Sequence, residues 1–210
     1  MNVVIIDYKM SNLHSVVAAC KKVGFKSVIS SDPKEILDAN LVILPGVGSF
    51  KHAMINLKNL KLETCIHDYI KSGKTFIGIC LGLQLLFTKS EEFGNHPGLN
   101  ILEGEVKKFN FSKKEKIPVP HMNWNNIKMA NISWDKTYLK NNLDNDFMYF
   151  VHSYFVVPKD KSIILTETTY GSQKYCSSIF KKNIFATQFH PEKSSVNGLK
   201  IYKNLYNSLK

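Results

Sequence analysis

Short apolar runs alternate with amphipathic segments over the first half of the chain, and this alternation limits the possible folds more than any other feature. The apolar runs are residues 3–7, 27–30, 41–44 and 75–79. Short apolar runs are typical of strands buried in a parallel sheet. Between the first two runs, residues 12–23 carry apolar side chains at helical spacing. Strands that alternate with helices predict right-handed βαβ crossovers and an α/β fold with a mostly parallel central sheet flanked by helices.

The second half of the chain changes character. Strand-like runs follow one another with short links, at residues 104–109, 147–157, 162–168, 175–180 and 184–189. Such a series predicts an antiparallel or mixed extension of the sheet. Further helices are expected over residues 33–39, 50–72, 83–88 and 195–209. With no internal repeat or linker, residues 1–210 are expected to form a single domain.

The charge of the chain gives little support for a nucleic-acid partner. The formal net charge is +11, but all 28 basic residues are lysine. Arginine is the residue that reads phosphates and guanine with two hydrogen bonds, so a nucleic-acid reader without arginine would be unusual. No apolar stretch is long enough to cross a bilayer. The four cysteines form no C-x-x-C pair, and we expect reduced thiols and a cytoplasmic location.

The strongest local signal is Gly78-Ile79-Cys80-Leu81-Gly82, a G-x-C-x-G motif between a predicted strand and a predicted helix. This is the thiol form of the nucleophile elbow, in which small residues allow a sharp turn between strand and helix. The amino end of the helix would favour the thiolate. The motif therefore predicts Cys80 as a nucleophile, although an incidental buried cysteine between two glycines is the competing interpretation.

A thiolate nucleophile needs a base, and His190 is the best candidate among the seven histidines. It directly follows the predicted strand 184–189, at the kind of strand end where open α/β sheets place their chemistry. Glu192, two residues further on, could accept a hydrogen bond from the imidazole and fix its tautomer. His-Pro-Glu alone would usually indicate no more than a turn.

The sequence lacks metal-binding and cofactor-binding motifs with the required residues at the required spacing. The chain has no H-E-x-x-H and no paired C-x-x-C, so no zinc site is expected. Ser72-Gly73-Lys74-Thr75 resembles the end of a P-loop, but Asp68 stands where the first glycine is required. Gly46-Val47-Gly48 lacks the third glycine of a dinucleotide fingerprint. We therefore expect neither a metal nor a cofactor.

Taken together, the motifs resemble class I (triad) glutamine amidotransferases. The resemblance rests first on Pro45-Gly46-Val47-Gly48, Gly78-Ile79-Cys80-Leu81-Gly82-Leu83-Gln84 and Gln188-Phe189-His190-Pro191-Glu192. It narrows towards glutaminase subunits of imidazole glycerol phosphate synthase through further segments, namely Asp7-Tyr8 with Asn12, Gly48-Ser49-Phe50 with Ala53-Met54, Gly104-Glu105-Val106, Pro120-His121-Met122 with Trp124-Asn125, and Tyr149-Phe150-Val151-His152-Ser153-Tyr154. These motifs span nearly the whole chain.

The resemblance implies a role for each matched position. L-glutamine would be the substrate, and a (β/α)8 cyclase subunit would be the partner in a heterodimer that receives ammonia and makes imidazole glycerol phosphate. The implied residues fall into four groups: a catalytic triad of Cys80, His190 and Glu192; an oxyanion hole from Val47, Gly48 and Leu81; glutamine-binding residues Gln84, His152, Ser153 and Tyr154; and partner-facing residues Asn12, His121, Trp124, Tyr149 and Lys193.

Two departures from the family pattern leave the identity of the ammonia acceptor open. Lys9 stands in a first loop where the family usually has glycines, and Asn123 stands where it usually has glycine. Asparagine tolerates a positive φ, so position 123 could keep the family's backbone shape. The alternatives are a paralogue that supplies ammonia to another acceptor such as a surface sugar, a cysteine peptidase on the same scaffold, and a catalytically silent regulatory partner.

Overall fold

One mixed sheet organises the structure, a computed structural model that describes residues 2–10 and 12–210. Within these residues the strands are β1 (Val3–Ile6), β2 (Ser27–Ser30), β3 (Leu41–Gly46), β4 (Thr75–Cys80), β5 (Phe87–Ser90), β6 (His96–Pro97), β7 (Leu102–Lys108), β8 (His121–Asn126), β9 (Lys128–Met129), β10 (Phe147–His152), β11 (Tyr154–Pro158), β12 (Ile164–Tyr170), β13 (Gln173–Lys181) and β14 (Ile184–Thr187). The α-helices are α1 (Leu13–Val23), α2 (Pro33–Asp38), α3 (Phe50–Asn59), α4 (Leu62–Lys71), α5 (Leu81–Leu85) and α6 (Ser195–Ser208).

The main sheet has the order β2-β1-β3-β4-β14-β13-β11-β7-β5-β6, with β12 and β9 continuing from β13. The pairs from β2 to β14 are parallel, and those joining β14, β13, β11 and β7 are antiparallel. This arrangement confirms the predicted parallel centre with a mixed extension. β8 and β10 pair with each other in a separate two-stranded sheet, called the ribbon below.

Apart from the edge strand β2, the parallel strands are buried on both faces because the sheet separates two apolar cores. In β1, Val4 and Ile6 belong to one core while Val3 and Ile5 belong to the other. Side chains of a strand alternate between the two faces, so a strand covered on both sides must be apolar throughout. Helix α6 covers one face together with α1, as its apolar stripe predicts.

Two predicted helices are wrong in extent. The helix expected over 50–72 is two helices, because Lys61 adopts a φ of 57° and turns the chain between α3 and α4. The helix expected over 83–88 ends after Leu85, and residues that follow it form β5, which pairs with β7. In both places a backbone turn or a strand pairing from elsewhere in the chain overrides a continuous apolar pattern.

Further differences concern the ribbon and the first loop. The strand expected over 147–157 is interrupted at Ser153, which separates β10 from β11, and β8 was not predicted at all. Asn123 lies within β8 and does not have the positive φ suggested for it, whereas Lys9 does, at 68°. Lys9 is stabilised there by Asp7, whose carboxylate accepts from its backbone N–H at 2.9 Å.

Candidate active site

Cys80 occupies the turn between β4 and α5, at the carboxyl end of a central strand. Its φ of 56° and ψ of −106° place a non-glycine residue in a strained backbone conformation. Strain of this kind costs about 1–3 kcal/mol and persists only where the surroundings enforce it, commonly at functional sites. The thiol is buried and lies next to the first turn of α5, whose free N–H groups give positive potential.

The glycines of the motif allow the close approach that forms this turn. A Cβ on Gly82 would lie 1.8 Å from the carbonyl oxygen of Leu44, and one on Gly78 would lie 2.9 Å from the carbonyl oxygen of Gly82. Both obstacles are backbone atoms, which cannot move aside as a flexible side chain could. The elbow geometry predicted from G-x-C-x-G therefore exists in the structure and depends on these positions.

His190 and Glu192 reach the same edge of the sheet because β14 lies next to β4 in parallel, with Thr187 opposite Ile79. The Nδ1 atom of His190 is 2.8 Å from Oε1 of Glu192. A carboxylate only accepts, so Nδ1 carries the proton in this hydrogen bond. Nε2 of His190 is buried and has no hydrogen-bond partner within the part of the chain that the structure describes. The arrangement leaves that nitrogen available for proton transfer.

The electrostatics of His190 favour the imidazolium form. Burial opposes protonation, but the charge of the nearby Cys80 sulfur, together with Glu192, outweighs it and raises the pKa of His190 to about 10. A cation beside the sulfur is the environment that stabilises a thiolate. His190 can therefore hold a proton beside the Cys80 sulfur at neutral pH.

A pocket opens over Cys80 and brings together most of the residues predicted for the site. Its lining includes Cys80 and the predicted positions Asn12, Val47, Gly48, Leu81, Gln84, His152, Ser153, Tyr154 and Lys193. The predicted catalytic residues His190 and Glu192 and three predicted partner-facing residues are outside this lining, the latter being His121, Trp124 and Tyr149. The pocket thus unites segments from β3, α5 and the β10–β11 junction, although they are far apart in sequence.

The amides suggested for an oxyanion hole differ in availability. The N–H of Val47 donates to the carbonyl oxygen of Met10 at 2.9 Å, so it would have to leave this hydrogen bond before it could stabilise an oxyanion. Gly48 has a φ of 92°, which suits the sharp turn. The N–H of Leu81 belongs to the first turn of α5, where amides have no partner within the helix.

Comparison with known proteins settles the family. The model of the glutamine amidotransferase class-I family matches residues 4–208. The chain belongs to this family. It is 48% identical over 205 residues to imidazole glycerol phosphate synthase subunit HisH of Aquifex aeolicus, covering 97% of this chain and 95% of that protein. The same subunit of Gloeothece citriformis is 44% identical, covering 99% and 96%.

Solved structures show the same fold at low sequence identity. A PurLQS structure from Thermotoga maritima aligns with a TM-score of 0.75 and 19% identity, covering 100% of this chain and 99% of that one. The glutaminase domain of CTPS from Trypanosoma brucei aligns with a TM-score of 0.69 and 15% identity, covering 100% and 93%. The chain is thus a class I glutamine amidotransferase, an enzyme with an α/β fold.

Two residues at the amidotransferase site were missed from the sequence, one next to Cys80 and one in the pocket lining. The side-chain amide of Gln188 donates to Sγ of Cys80 at 3.7 Å, and its oxygen accepts from Gln84 at 3.1 Å. Glu92 lines the pocket and accepts a hydrogen bond from the N–H of Phe50, at the amino end of α3. Gln188 was visible as part of the motif around His190, but Glu92 stands in a polar loop with no local signal.

The ribbon gives the amidotransferase an apolar outer face. Trp124 and Tyr149 are directly opposite each other in the ribbon, with ring centroids 6.1 Å apart, and Trp124 and Met122 are exposed. Nζ of Lys193 lies 5.9 Å from the Tyr149 ring centroid, close enough for a cation–π contact. His121, in contrast, is 1% exposed, so its side chain faces the interior of the chain.

Two buried histidines of the amidotransferase lead to a prediction of acid sensitivity. Burial lowers the pKa of His121 to about 4 and that of His152 to about 3. An unfolded histidine titrates near pH 6.5, so between about pH 6.5 and 4 the unfolded chain binds protons that the folded chain does not. We expect the free energy of unfolding to fall with decreasing pH in this window, by up to ~1.4 kcal/mol per pH unit for each histidine.

Urea unfolding of the wild type and of His121→Phe, measured from pH 7 to 5, tests this expectation. The variant should lose stability less steeply as the pH falls, because one of the two groups no longer titrates. His190 does not affect the comparison, because it is present in both proteins and its contribution to the pH dependence is common to them. Equal slopes for the two proteins would contradict the prediction.

Among the described residues no group of histidine, cysteine and acidic side chains could hold a metal ion. No helix in residues 2–10 or 12–210 is long and apolar enough to span a membrane.

Proposed function

We propose that this amidotransferase is the glutaminase subunit of an imidazole glycerol phosphate synthase. In this role it hydrolyses L-glutamine to glutamate and ammonia, and delivers the ammonia to a (β/α)8 cyclase subunit in a heterodimer. The observation that carries the proposal is the full-length similarity, at 42–48% identity, to subunits named HisH, combined with a nucleophile elbow beside His190. We assign the activity to one domain over residues 1–210, in the cytoplasm, where the four free thiols would remain reduced.

The proposed reaction begins with attack of the Cys80 thiolate on the side-chain carboxamide carbon of glutamine. The carbonyl oxygen becomes an oxyanion, which the N–H groups of Leu81 and Gly48 would stabilise, with Val47 joining them once its bond to Met10 opens. Protonated His190 gives its Nε2 proton to the leaving nitrogen, so that ammonia departs and a glutamyl thioester forms.

Hydrolysis of the thioester completes the cycle. Nε2 of His190 removes a proton from a water molecule, and the resulting hydroxide attacks the thioester carbonyl. Collapse of the second tetrahedral intermediate releases glutamate and restores the thiolate and the imidazolium. Oε1 of Glu192 accepts the hydrogen bond from Nδ1 throughout, at a distance of 2.8 Å between the two atoms, and this bond keeps the imidazole in one orientation. One water is consumed for each ammonia produced.

Delivery of ammonia within a complex has a chemical reason. At neutral pH free ammonia is mostly ammonium, which is not a nucleophile, so a path closed to water preserves the reactive form. We propose that the partner docks over the pocket and the outer face of the ribbon, with Asn12, Trp124, Tyr149 and Lys193 at the contact. An apolar face of this kind, with exposed aromatic side chains and a basic residue beside it, is typical of a protein interface. His121 would support that face from the buried side of the ribbon.

A coupled assay tests the proposed function. The chain and the cyclase subunit of the same organism are mixed with glutamine and the cyclase's ribonucleotide substrate, and glutamate and the imidazole product are both measured. We expect glutamine-dependent imidazole formation and a higher rate of glutamate release than from the chain alone, as expected for coupled sites. Cyclase supplied with ammonium salt instead of glutamine is the control for an active partner.

Two other outcomes of the coupled assay would contradict parts of the proposed function. Glutamate without imidazole product, while the ammonium control is active, would show that another acceptor takes the ammonia. Absence of glutamate release with an active partner would refute the glutaminase assignment.

A further inference from the structure

Tyr175 connects the ribbon to the main sheet through two buried histidines. It lies on β13, and its hydroxyl oxygen is 3.2 Å from Nδ1 of His121 and 3.3 Å from Nε2 of His152. The two histidines are directly opposite each other in the ribbon, one on β8 and one on β10. A two-stranded ribbon is at best marginally stable by itself, so its attachment to the main sheet decides its position.

The donor and the acceptor of each hydrogen bond in this group can be assigned from one of them, the bond between His152 and the Tyr154 carbonyl. Nδ1 of His152 is 2.8 Å from the carbonyl oxygen of Tyr154, which only accepts, so Nδ1 carries the proton. In a neutral imidazole Nε2 is then an acceptor, and the Tyr175 hydroxyl donates to it. The Tyr175 oxygen in turn accepts from Nδ1 of His121, and Nε2 of His121 accepts from the side-chain amide of Asn125 at 3.4 Å.

The Tyr154 carbonyl at the end of this chain belongs to the wall of the glutamine pocket. It accepts a second hydrogen bond, at 2.9 Å, from the side chain of Gln84. His152, Ser153 and Tyr154 all line the pocket at the junction between β10 and β11. The same hydrogen bonds that hold the two histidines therefore fix the backbone that faces the substrate.

We propose that Tyr175 is a positioning residue for glutamine binding: its hydroxyl locks His121 and His152 in one orientation and thereby holds the 152–154 wall of the pocket in place. This inference rests on the proposed function. Tyr175 is buried and outside the pocket lining, so it acts through the wall and not by contact with the substrate.

The proposal predicts a specific kinetic effect. The wall contacts glutamine in the ground state and the transition state alike, so its displacement should raise KM and leave kcat nearly unchanged. Removal of a hydroxyl that serves two buried partners leaves one acceptor and one donor unmatched, and we expect KM to rise about tenfold. The reaction of Cys80 with a small alkylating reagent such as iodoacetamide should change by less than about twofold, because this reagent does not use the wall.

The test compares Tyr175→Phe with Tyr170→Phe in the complex with the cyclase. Tyr170 is a matched control: its ring stacks on His121 with centroids 3.9 Å apart, but its hydroxyl donates to the Pro118 carbonyl and not to a histidine. We expect an increased KM for Tyr175→Phe and wild-type KM and kcat for Tyr170→Phe. A KM for Tyr175→Phe within about twofold of wild type would overturn the proposal.

A second pair of variants separates positioning from a general loss of structure. His121→Asn keeps a nitrogen donor near the place of Nδ1, whereas His121→Leu, of similar size, has none. We expect His121→Leu to raise KM more than His121→Asn, and equal values would overturn the proposal even if Tyr175→Phe does not fold. Failure of the wild-type complex to hydrolyse glutamine would instead refute the proposed function, and is therefore distinguishable.

Discussion

Replacement of Cys80 by alanine is expected to abolish glutamine hydrolysis while leaving partner binding intact. Catalytic triads act as a unit, so removal of the proposed nucleophile should lower kcat by about 10⁶-fold. Binding should survive because the thiol is buried at the base of the pocket and the elbow is built by its backbone and the neighbouring glycines. Glutamate release measures the first effect, and titration of the variant against the cyclase measures the second.

Cys65→Ala is the matched control for this substitution. Cys65 is also a buried free thiol, but it lies on α4 and its Sγ contacts the Pro33 carbonyl, away from the pocket. Burial raises its pKa to about 11, so it is not a nucleophile at neutral pH. We expect normal turnover from this variant. Substantial turnover from Cys80→Ala would show that the nucleophile has been wrongly assigned.

The second large effect is expected from Gly82→Ala, which should destabilise the fold as well as the site. The added Cβ would lie 1.8 Å from the Leu44 carbonyl oxygen, so α5 and β3 would have to move apart. Overpacking usually costs about 1–3 kcal/mol, and a backbone obstacle should bring the loss of unfolding free energy to ~3 kcal/mol or more. Denaturant unfolding followed by circular dichroism measures it.

Gly73→Ala distinguishes a steric effect from a backbone effect. No heavy atom lies within 4 Å of a Cβ at this position, but the φ of 80° disfavours alanine. We expect a loss of about 1–2 kcal/mol from the left-handed conformation alone. A Gly82→Ala protein as stable as the wild type would contradict the close approach on which the elbow depends.

The parallel half of the fold was predictable because each buried strand is apolar throughout and each is followed by a helical segment. The ends of elements were less predictable. Nothing local marks the turn at Lys61, since its neighbours continue the apolar pattern of a helix. The polar strand β8 is stabilised by pairing with β10, which is distant in sequence, and no local pattern reports such a pairing.

The residues of the candidate site likewise divide into those that the sequence indicates and those that only the structure reveals. Cys80 and His190 stand in motifs whose composition reflects a local backbone requirement, so the sequence alone could indicate them. Glu92 and Tyr175 form hydrogen bonds with residues that are far away in the chain, at α3 and in the ribbon. The inward orientation of His121 depends on which face of β8 the ribbon buries, and that face is determined by tertiary packing.

Covalent labelling tests most directly whether Cys80 and His190 form a reactive pair at the pocket. The complex is treated with an electrophilic analogue of glutamine, such as a diazoketone, and the modified residue is located by mass spectrometry. We predict that one label is incorporated per chain, on Cys80 and not on the other three cysteines, that excess glutamine protects against it, and that His190→Asn slows it strongly. A label on another residue, or turnover of glutamine by fully labelled protein, would contradict this account.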